Sequence, residues 1–294
     1  MTAQRLVLLV AHARRAPAVA AATQLCDALA AAGVDVLVSP DTDPIPGLKA
    51  RLARDFTEMC EAEVAIVLGG DGTILRAAEF VRGTGLPLLG VNLGHVGFLA
   101  EAEHDSLAEV ARRVAEASWT VEERLALDVV VLHDGVEIYK TWALNEVTLE
   151  RAEPARMLDV VVAVDRRPVS RLGTDGVIVA TPTGSTAYAF SASGPVVWPT
   201  VEAILVVPVS AHALFARPLV VARDSVVDLE LLASSPAAVL VADGRRMESL
   251  PSRARIIVRR SEEPVRIARL HEAPFTDRLV AKFRLPVEGW RGDS

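Results

Sequence analysis

Cysteine is nearly absent from this chain: Cys26 and Cys60 are the two thiols in 294 residues, and they stand apart with no Cys-x-x-Cys spacing. That argues against a disulfide scaffold or a thiolate metal site. Both thiols, each in a helical-looking segment, are expected to be buried and reduced in a cytoplasmic protein. Long apolar runs are missing too, none approaching the roughly 20 residues that cross a bilayer. Residues 6–10, after Met1-Thr2-Ala3-Gln4, are too short for a signal h-region and lead to no small-residue cleavage site. They read as a core strand, and the chain as soluble with no membrane partner. Basic excess is also lacking. A formal net charge of −7 argues against broad nucleic-acid affinity while leaving room for a local basic pocket that takes a phosphorylated small molecule. No internal repeat or low-complexity tract occurs.

The chain is longer than one usual domain and can bury ample core in two. Short apolar runs alternate with amphipathic stretches at 6–10, 17–32, 34–38, 48–61, 64–68, 73 onward and 87–91, a βαβαβαβ order that predicts a parallel sheet covered by helices. Near Trp119 the period changes to two. Leu125, Leu127, Val129 and Val131 alternate with other residues, and turn signals at His133-Asp134-Gly135, Arg166-Arg167-Pro168 and Asp243-Gly244 separate extended runs. The expected organisation is a Rossmann-like α/β domain over 1–118 and a β-sandwich over 119–269, with 270–294 returning to the first domain. Thr276 is placed to cap a short amphipathic helix in that tail.

Gly69-Gly70-Asp71-Gly72-Thr73 follows the apolar run 64–68 and precedes a helical pattern. Such a loop brings backbone N–H groups and a helix N-terminus to a phosphate. It fits neither G-x-x-x-x-G-K-[ST] nor G-x-G-x-x-G. An acid in a phosphate loop is electrostatically awkward unless Asp71 accepts a proton from an attacking hydroxyl or helps hold Mg2+; otherwise it is a helix cap. A second cluster, Asn92-Leu93-Gly94-His95-Val96-Gly97-Phe98-Leu99, also leaves a β-like run, and is either a packed strand exit or part of the site. For Asn145-Glu146, strand pairing and ligand binding are both open. The richest segment runs from Gly173 to Ser191, where an apolar strand enters a loop dense in hydroxyls, with Tyr188 available to stack on a base. Ser210 and His212 suggest a nucleophile and base, but with no orienting third group they read as a structural loop. Asp243-Gly244-Arg245-Arg246 reads as a hairpin turn bearing solvated charge, with phosphate contact by an arginine as the alternative.

Taken in order, residues 69–73, 92–98, Asn145-Glu146, Thr181-Pro182-Thr183-Gly184-Ser185-Thr186-Ala187-Tyr188 and Leu285-Pro286-Val287-Glu288-Gly289-Trp290 resemble the NAD kinase family over nearly the whole chain. The glycine loop alone is shared with diacylglycerol and sphingosine kinases and 6-phosphofructokinases; the 181–188 motif makes the combination specific. The resemblance implies transfer of the terminal phosphate of ATP, or of polyphosphate, to the 2′-hydroxyl of the adenosine ribose of NAD, with a divalent metal such as Mg2+. It implies Asp71 as proton acceptor and Gly69, Gly70, Gly72 and Thr73 as the phosphate loop. It places Asp71, Gly72, Arg76, Asn145, Glu146, Asp175, Thr186, Ala187, Tyr188, Ala189, Phe190 and Ser191 on the dinucleotide, with Arg156 a looser match. A homodimer or homotetramer is implied as well. Ser193 departs from the glycine that many relatives carry before Gly194-Pro195, which bears on the local loop. The first alternative is a lipid or sugar kinase sharing the phosphate loop, and a lipid kinase would want a large apolar cavity in place of 175–191. A silent dinucleotide-binding regulator would not need Asp71 and Glu146 together. Donor, NADH acceptance, metal identity, feedback and subunit number stay open.

Overall fold

A computed structural model describes residues 5–11, 15–39, 45, 47–93, 97–100, 102–103, 107–271 and 274–287. His95, with Gly94 and Val96, and the Glu288-Gly289-Trp290 end lie outside the described residues. The chain forms two compact units, Met1–Glu123 with Val265–Ser294, and Arg124–Pro264.

The first unit runs β1 (Arg5–Ala11), α1 (Ala16–Ala31), β2 (Val34–Val38), β3 (Arg51–Leu52), α2 (Phe56–Met59), β4 (Ala65–Leu68), α3 (Asp71–Val81), β5 (Leu88–Asn92), β6 (Ala102–Glu103), α4 (Leu107–Ala115) and β7 (Thr120–Arg124). β1, β4 and β5 are almost wholly buried, as expected for parallel strands covered on both faces. α1 buries Ala18, Ala21, Ala22, Leu25, Cys26 and Leu29, the three-and-four spacing of one helical stripe. Cys26 is buried as expected, but Cys60 is exposed. The reason is that 48–61 is not one helix. Residues 51–52 pair in parallel with β2, Asp55 then caps α2 by accepting the Glu58 N–H at 2.9 Å, and Cys60 falls in the turn after this four-residue helix.

The second unit comprises β8 (Leu127–His133), β9 (Val136–Ala143), β10 (Glu146–Arg151), β11 (Leu158–Val164), β12 (Arg167–Thr174), β13 (Gly176–Ala180), a 3-10 turn (Thr183–Thr186), α5 (Tyr188–Ser191), β14 (Ala203–Val209), β15 (Leu219–Ala222), β16 (Val227–Leu231), β17 (Ala238–Ala242), β18 (Arg246–Leu250) and β19 (Arg255–Arg260). Two six-stranded sheets, ordered β15-β14-β13-β10-β17-β18 and β12-β11-β16-β19-β8-β9, share one core that includes Val129, Leu149, Val160, Val179 and Leu240. This is the expected sandwich. Its hairpins turn through consecutive left-handed residues, Asp134-Gly135, Asp165-Arg166 and Asp243-Gly244, the geometry that matches strand twist. β13 is buried throughout because Ala189 and Val197 cover its outer face, packing on Ile178, Ala180, Leu205 and Val207.

The chain then returns to the first unit as β20 (Val265–Arg269) and α6 (Phe275–Phe283). The sheet order is β3-β2-β1-β4-β5-β20-β7, with β6 on β5. β1 pairs in parallel with both β2 and β4, so strand order reverses between β1 and β4. In open α/β sheets ligands bind beyond the carboxyl ends of strands at such a point, and residues 69–73 leave the carboxyl end of β4. Thr276 is not the cap: α6 starts at Phe275 after Pro274, with no side-chain cap bond.

Candidate active site

In the first unit the glycine loop joins β4 to α3. Gly69 has φ +155°, and a Cβ there would lie 2.4 Å from Thr73 Oγ1, so only glycine fits the bend. Gly70 is the N-cap of α3 and its carbonyl accepts the N–H groups of Thr73 and Ile74 at 2.9 and 3.2 Å. A Cβ at Gly70 or Gly72 would meet nothing within 4 Å. Protein packing therefore does not demand glycine at either place, whereas close approach of a ligand to the backbone would. The N–H groups of Asp71 and Gly72, at the start of the helix, have no carbonyl one turn back to bond, and these two glycines leave them uncovered.

Asp71 does not cap α3. Its half-buried carboxylate reaches to the second cluster, where Oδ2 accepts the Phe98 N–H at 3.0 Å and Oδ1 the Leu99 N–H at 3.1 Å. A Cβ on Gly97 would stand 2.3 Å from Oδ1, so Gly97 lets the turn close on the acid. Each oxygen keeps a further lone pair for a proton donor. Arg76, one turn on, is half-buried with its guanidinium 5.8 Å from the Phe80 ring centre. The 97–99 turn is thus part of the acid's setting and not merely a packed strand exit.

In the second unit Asn145 and Glu146 are buried at the start of β10. The Asn145 carbonyl accepts the Thr181 N–H at 2.8 Å, the Thr181 hydroxyl donates to the Leu144 carbonyl at 2.6 Å, and a Cβ on Gly184 would lie 2.1 Å from the Asn145 oxygen. The 181–185 turn is therefore locked to the Asn145 peptide. Its hydroxyls are partly spent on this: Ser185 Oγ donates to the Pro182 carbonyl and accepts the Val197 N–H. Thr186 and Ala187 are half-buried, while Tyr188, Phe190 and Ser191 are exposed and Ala189 buried.

Asp243 is a correction to the sequence reading. The turn it starts is a hairpin, but its carboxylate is buried, not solvated. It accepts the N–H groups of Leu144 and Asn145 at 3.0 and 2.7 Å and pairs with Arg246 at 2.7 Å. Arg246 in turn stacks 4.6 Å from the Trp142 ring centre. Nothing in an Asp-Gly hairpin distinguishes this from an ordinary exposed turn, since its amide partners lie about a hundred residues away.

Burial, followed by repulsion from Asp243, pushes the Glu146 carboxyl up to about 8, with the Tyr188 backbone N–H opposing. Burial raises Asp243 as well, against its amide donors and Arg246. Of the pair, Glu146 is the one that holds a proton at neutral pH, because its Oε2 is buried with no hydrogen-bond partner while Asp243 has three. The Tyr188 phenol is raised by burial and then by the charges of Glu150, Asp175 and Glu146. Asp175 pairs with Arg151 at 3.0 Å. Arg156 is exposed in the turn after β10, and His212 pairs with Gly173 through the backbone, as a structural loop would. Glu150 and Arg151 lie outside every motif read from the sequence.

Residues 7–118 match the ATP-NAD kinase N-terminal domain and residues 144–270 the ATP-NAD kinase C-terminal domain. The NAD kinase of Thermobifida fusca is 54% identical, covering 99% of this chain and 93% of its own length. The chain belongs to the NAD kinase family. NAD kinase 2 of Streptomyces coelicolor is likewise 54% identical, over 98% of this chain and 97% of its own. An NAD kinase from Archaeoglobus fulgidus solved with ATP superposes with a TM-score of 0.72 at 27% identity, covering 95% of this chain and 98% of its own. Yeast NADH kinase solved with NADH shares the fold, with a TM-score of 0.87 at 24% identity over 99% of this chain and 90% of its own. Within this NAD kinase family member, α6 lies beyond both matched domains.

Proposed function

We propose that this protein transfers the terminal phosphate of ATP to the 2′-hydroxyl of the adenosine ribose of NAD, giving NADP. The hydroxyl oxygen bonds to the terminal phosphorus, the bond from that phosphorus to the bridging oxygen breaks to release ADP, and the hydroxyl proton passes to Asp71. The observation that carries this reading is the placement of one carboxylate at the start of α3, beside two glycines that packing leaves open. Backbone N–H groups of Gly70, Asp71 and Gly72 and the positive helix end then hold phosphate, those of Gly69 and Thr73 being taken by the Val91 and Gly70 carbonyls, with Gly72 and Arg76 on the dinucleotide or phosphates.

The second unit supplies the dinucleotide contacts. Glu146, protonated at neutral pH, and the carboxylates of Glu150 and Asp175 suit ribose hydroxyls and amino groups. Asn145, Glu146 and Asp175 are assigned to ribose and base, and Thr186, Ala187, Tyr188, Ala189, Phe190 and Ser191 to the adenine side. Arg156 is assigned to the periphery. Among the described residues no three His, Cys, Asp or Glu side chains converge, so they do not fit a metal held by the protein alone. A divalent ion, Mg2+ first, would arrive on the phosphates of ATP, and no step above passes through it. No helix among the described residues is long and apolar enough to cross a membrane, which suits a cytoplasmic enzyme of free nucleotides. Edge strand β15 with exposed Val220, and exposed Leu214 and Phe215 before it, suit a homodimer or homotetramer.

Purified protein incubated with NAD, Mg2+ and either ATP or polyphosphate tests the reading through NADP formed. NADP with ATP is expected. No NADP with either donor would contradict it.

A further inference from the structure

The geometry points to α6, and Arg278 above all, as the element that positions the Asp71 carboxylate, acting through the 97–99 turn; this rests on Asp71 being the proton acceptor. Asp71 takes no orientation from its own helix cap. Its two oxygens are held by the N–H groups of Phe98 and Leu99, so the acid points where that turn points.

The turn lies between β5 and β6, outside both strands, and contacts from the C-terminal segment hold it. Arg278 Nη1 donates to the Phe98 carbonyl at 3.1 Å. The Phe98 ring lies 5.8 Å from Phe275 and 5.7 Å from Phe283, tilted against each. Arg269, itself buried, donates to the Leu99 carbonyl at 3.4 Å.

One peptide group links cation to acid. The carbonyl of Phe98 and the N–H of Leu99 belong to the same amide: Arg278 binds its oxygen, and its N–H donates to Asp71 Oδ1. A guanidinium on the oxygen polarises the amide and strengthens the N–H as a donor, so Arg278 both places the turn and tightens its hold on the carboxylate. Phe275, Arg278, Leu279 and Phe283 recur at three-and-four spacing and, with Val280 beside them, are the half-buried residues of α6. No residue of α6 is fully buried. Docking is therefore shallow, and these contacts help to hold it.

The test uses the full chain with Arg278→Gln, Arg278→Lys and Phe283→Leu, each measured for kcat, for KM toward NAD and ATP, and for Tm. Arg278→Gln should lower kcat roughly tenfold, in line with the cost of misplacing a reacting group by a fraction of an ångström, with both KM values within about twofold and Tm nearly unchanged. Arg278→Lys should recover most of the loss, and Phe283→Leu should reproduce the kcat-only pattern more weakly. An unchanged kcat in Arg278→Gln, or a KM rise with kcat intact, overturns the positioning role. Asp71→Asn, assayed alongside, separates the two ideas. Full turnover there defeats the reading of Asp71 and this inference with it, whereas an inactive Asp71→Asn beside a fully active Arg278→Gln defeats this inference alone.

Discussion

Asp243 accepts the backbone N–H of Asn145 at 2.7 Å, across 98 residues of chain. That bond, with those to Leu144 and Arg246, makes a buried carboxylate the support of the Asn145-Glu146 pair. Asp243→Ala would strand two amides and a guanidinium, and should destabilise the protein by about 3–5 kcal/mol while raising the Kd for NAD. Urea unfolding and titration calorimetry read the two effects. Asp243→Asn, which keeps one acceptor, should lie between.

Glu146 makes stability depend on pH. Between its ordinary 4.5 and about 8 the folded protein holds a proton that the unfolded chain has released, so stability is full at the low end and falls as pH rises through that window. Glu146→Gln cannot ionise. The Tm of the unaltered protein should therefore drop relative to Glu146→Gln between about pH 5 and about pH 8.5; parallel curves would show that Glu146 ionises normally.

Gly184→Ala would drive a methyl into the Asn145 peptide, since its Cβ would lie 2.1 Å from that oxygen and 2.4 Å from the carbonyl carbon. Backbone must move on both sides. A loss of about 2 kcal/mol or more is expected, with weakened NAD binding measured on the protein that still folds.

Ser193→Gly should act in the opposite direction. Ser193 has φ +63°, and the N–H groups of Ser193 and Gly194 bond to the carbonyls of Phe190 and Ala189 at 3.0 and 2.8 Å, closing α5 with the left-handed cap that glycine favours. Removing the Cβ relieves about 1 kcal/mol of left-handed strain, partly offset by chain entropy. Tm should rise by about 1–3 °C with kcat unchanged; a fall in Tm would contradict this.

The fold was legible where periodicity is strong. The buried runs of β1, β4 and β5 and the alternation of β8 and β11 name their own classes, and the hairpins at Asp134-Gly135 and Asp243-Gly244 follow from residues that tolerate left-handed backbone. Helix 48–61 was misjudged because its spacing is helical while its pairing is not: Arg51 and Leu52 are drawn into the sheet edge beside β2, a tertiary effect that local pattern does not carry. Thr276 failed as a cap for a simpler reason, since Pro274 already sets an extended entry and the helix begins one residue earlier.

The site was legible in its motifs and not in its supports. Asp71 and Glu146 stand out because an acid among glycines and an Asn-Glu in a strand call for explanation. Asp243, Arg246 and Arg278 give no such signal. Each acts through a peptide distant in sequence, so the side chain looks like ordinary hairpin or helix charge until the partner is placed.

Asp71→Asn tests the central claim most directly, with kcat for NADP formation and Kd for NAD measured on the same preparation. The amide keeps the shape of the acid, but its Nδ2 would face an N–H of the 97–99 turn, so a modest fall in Tm is expected. The account predicts a kcat lower by about 10²–10⁴, with the Kd for NAD within about threefold. Turnover within about threefold of the unaltered enzyme would contradict it.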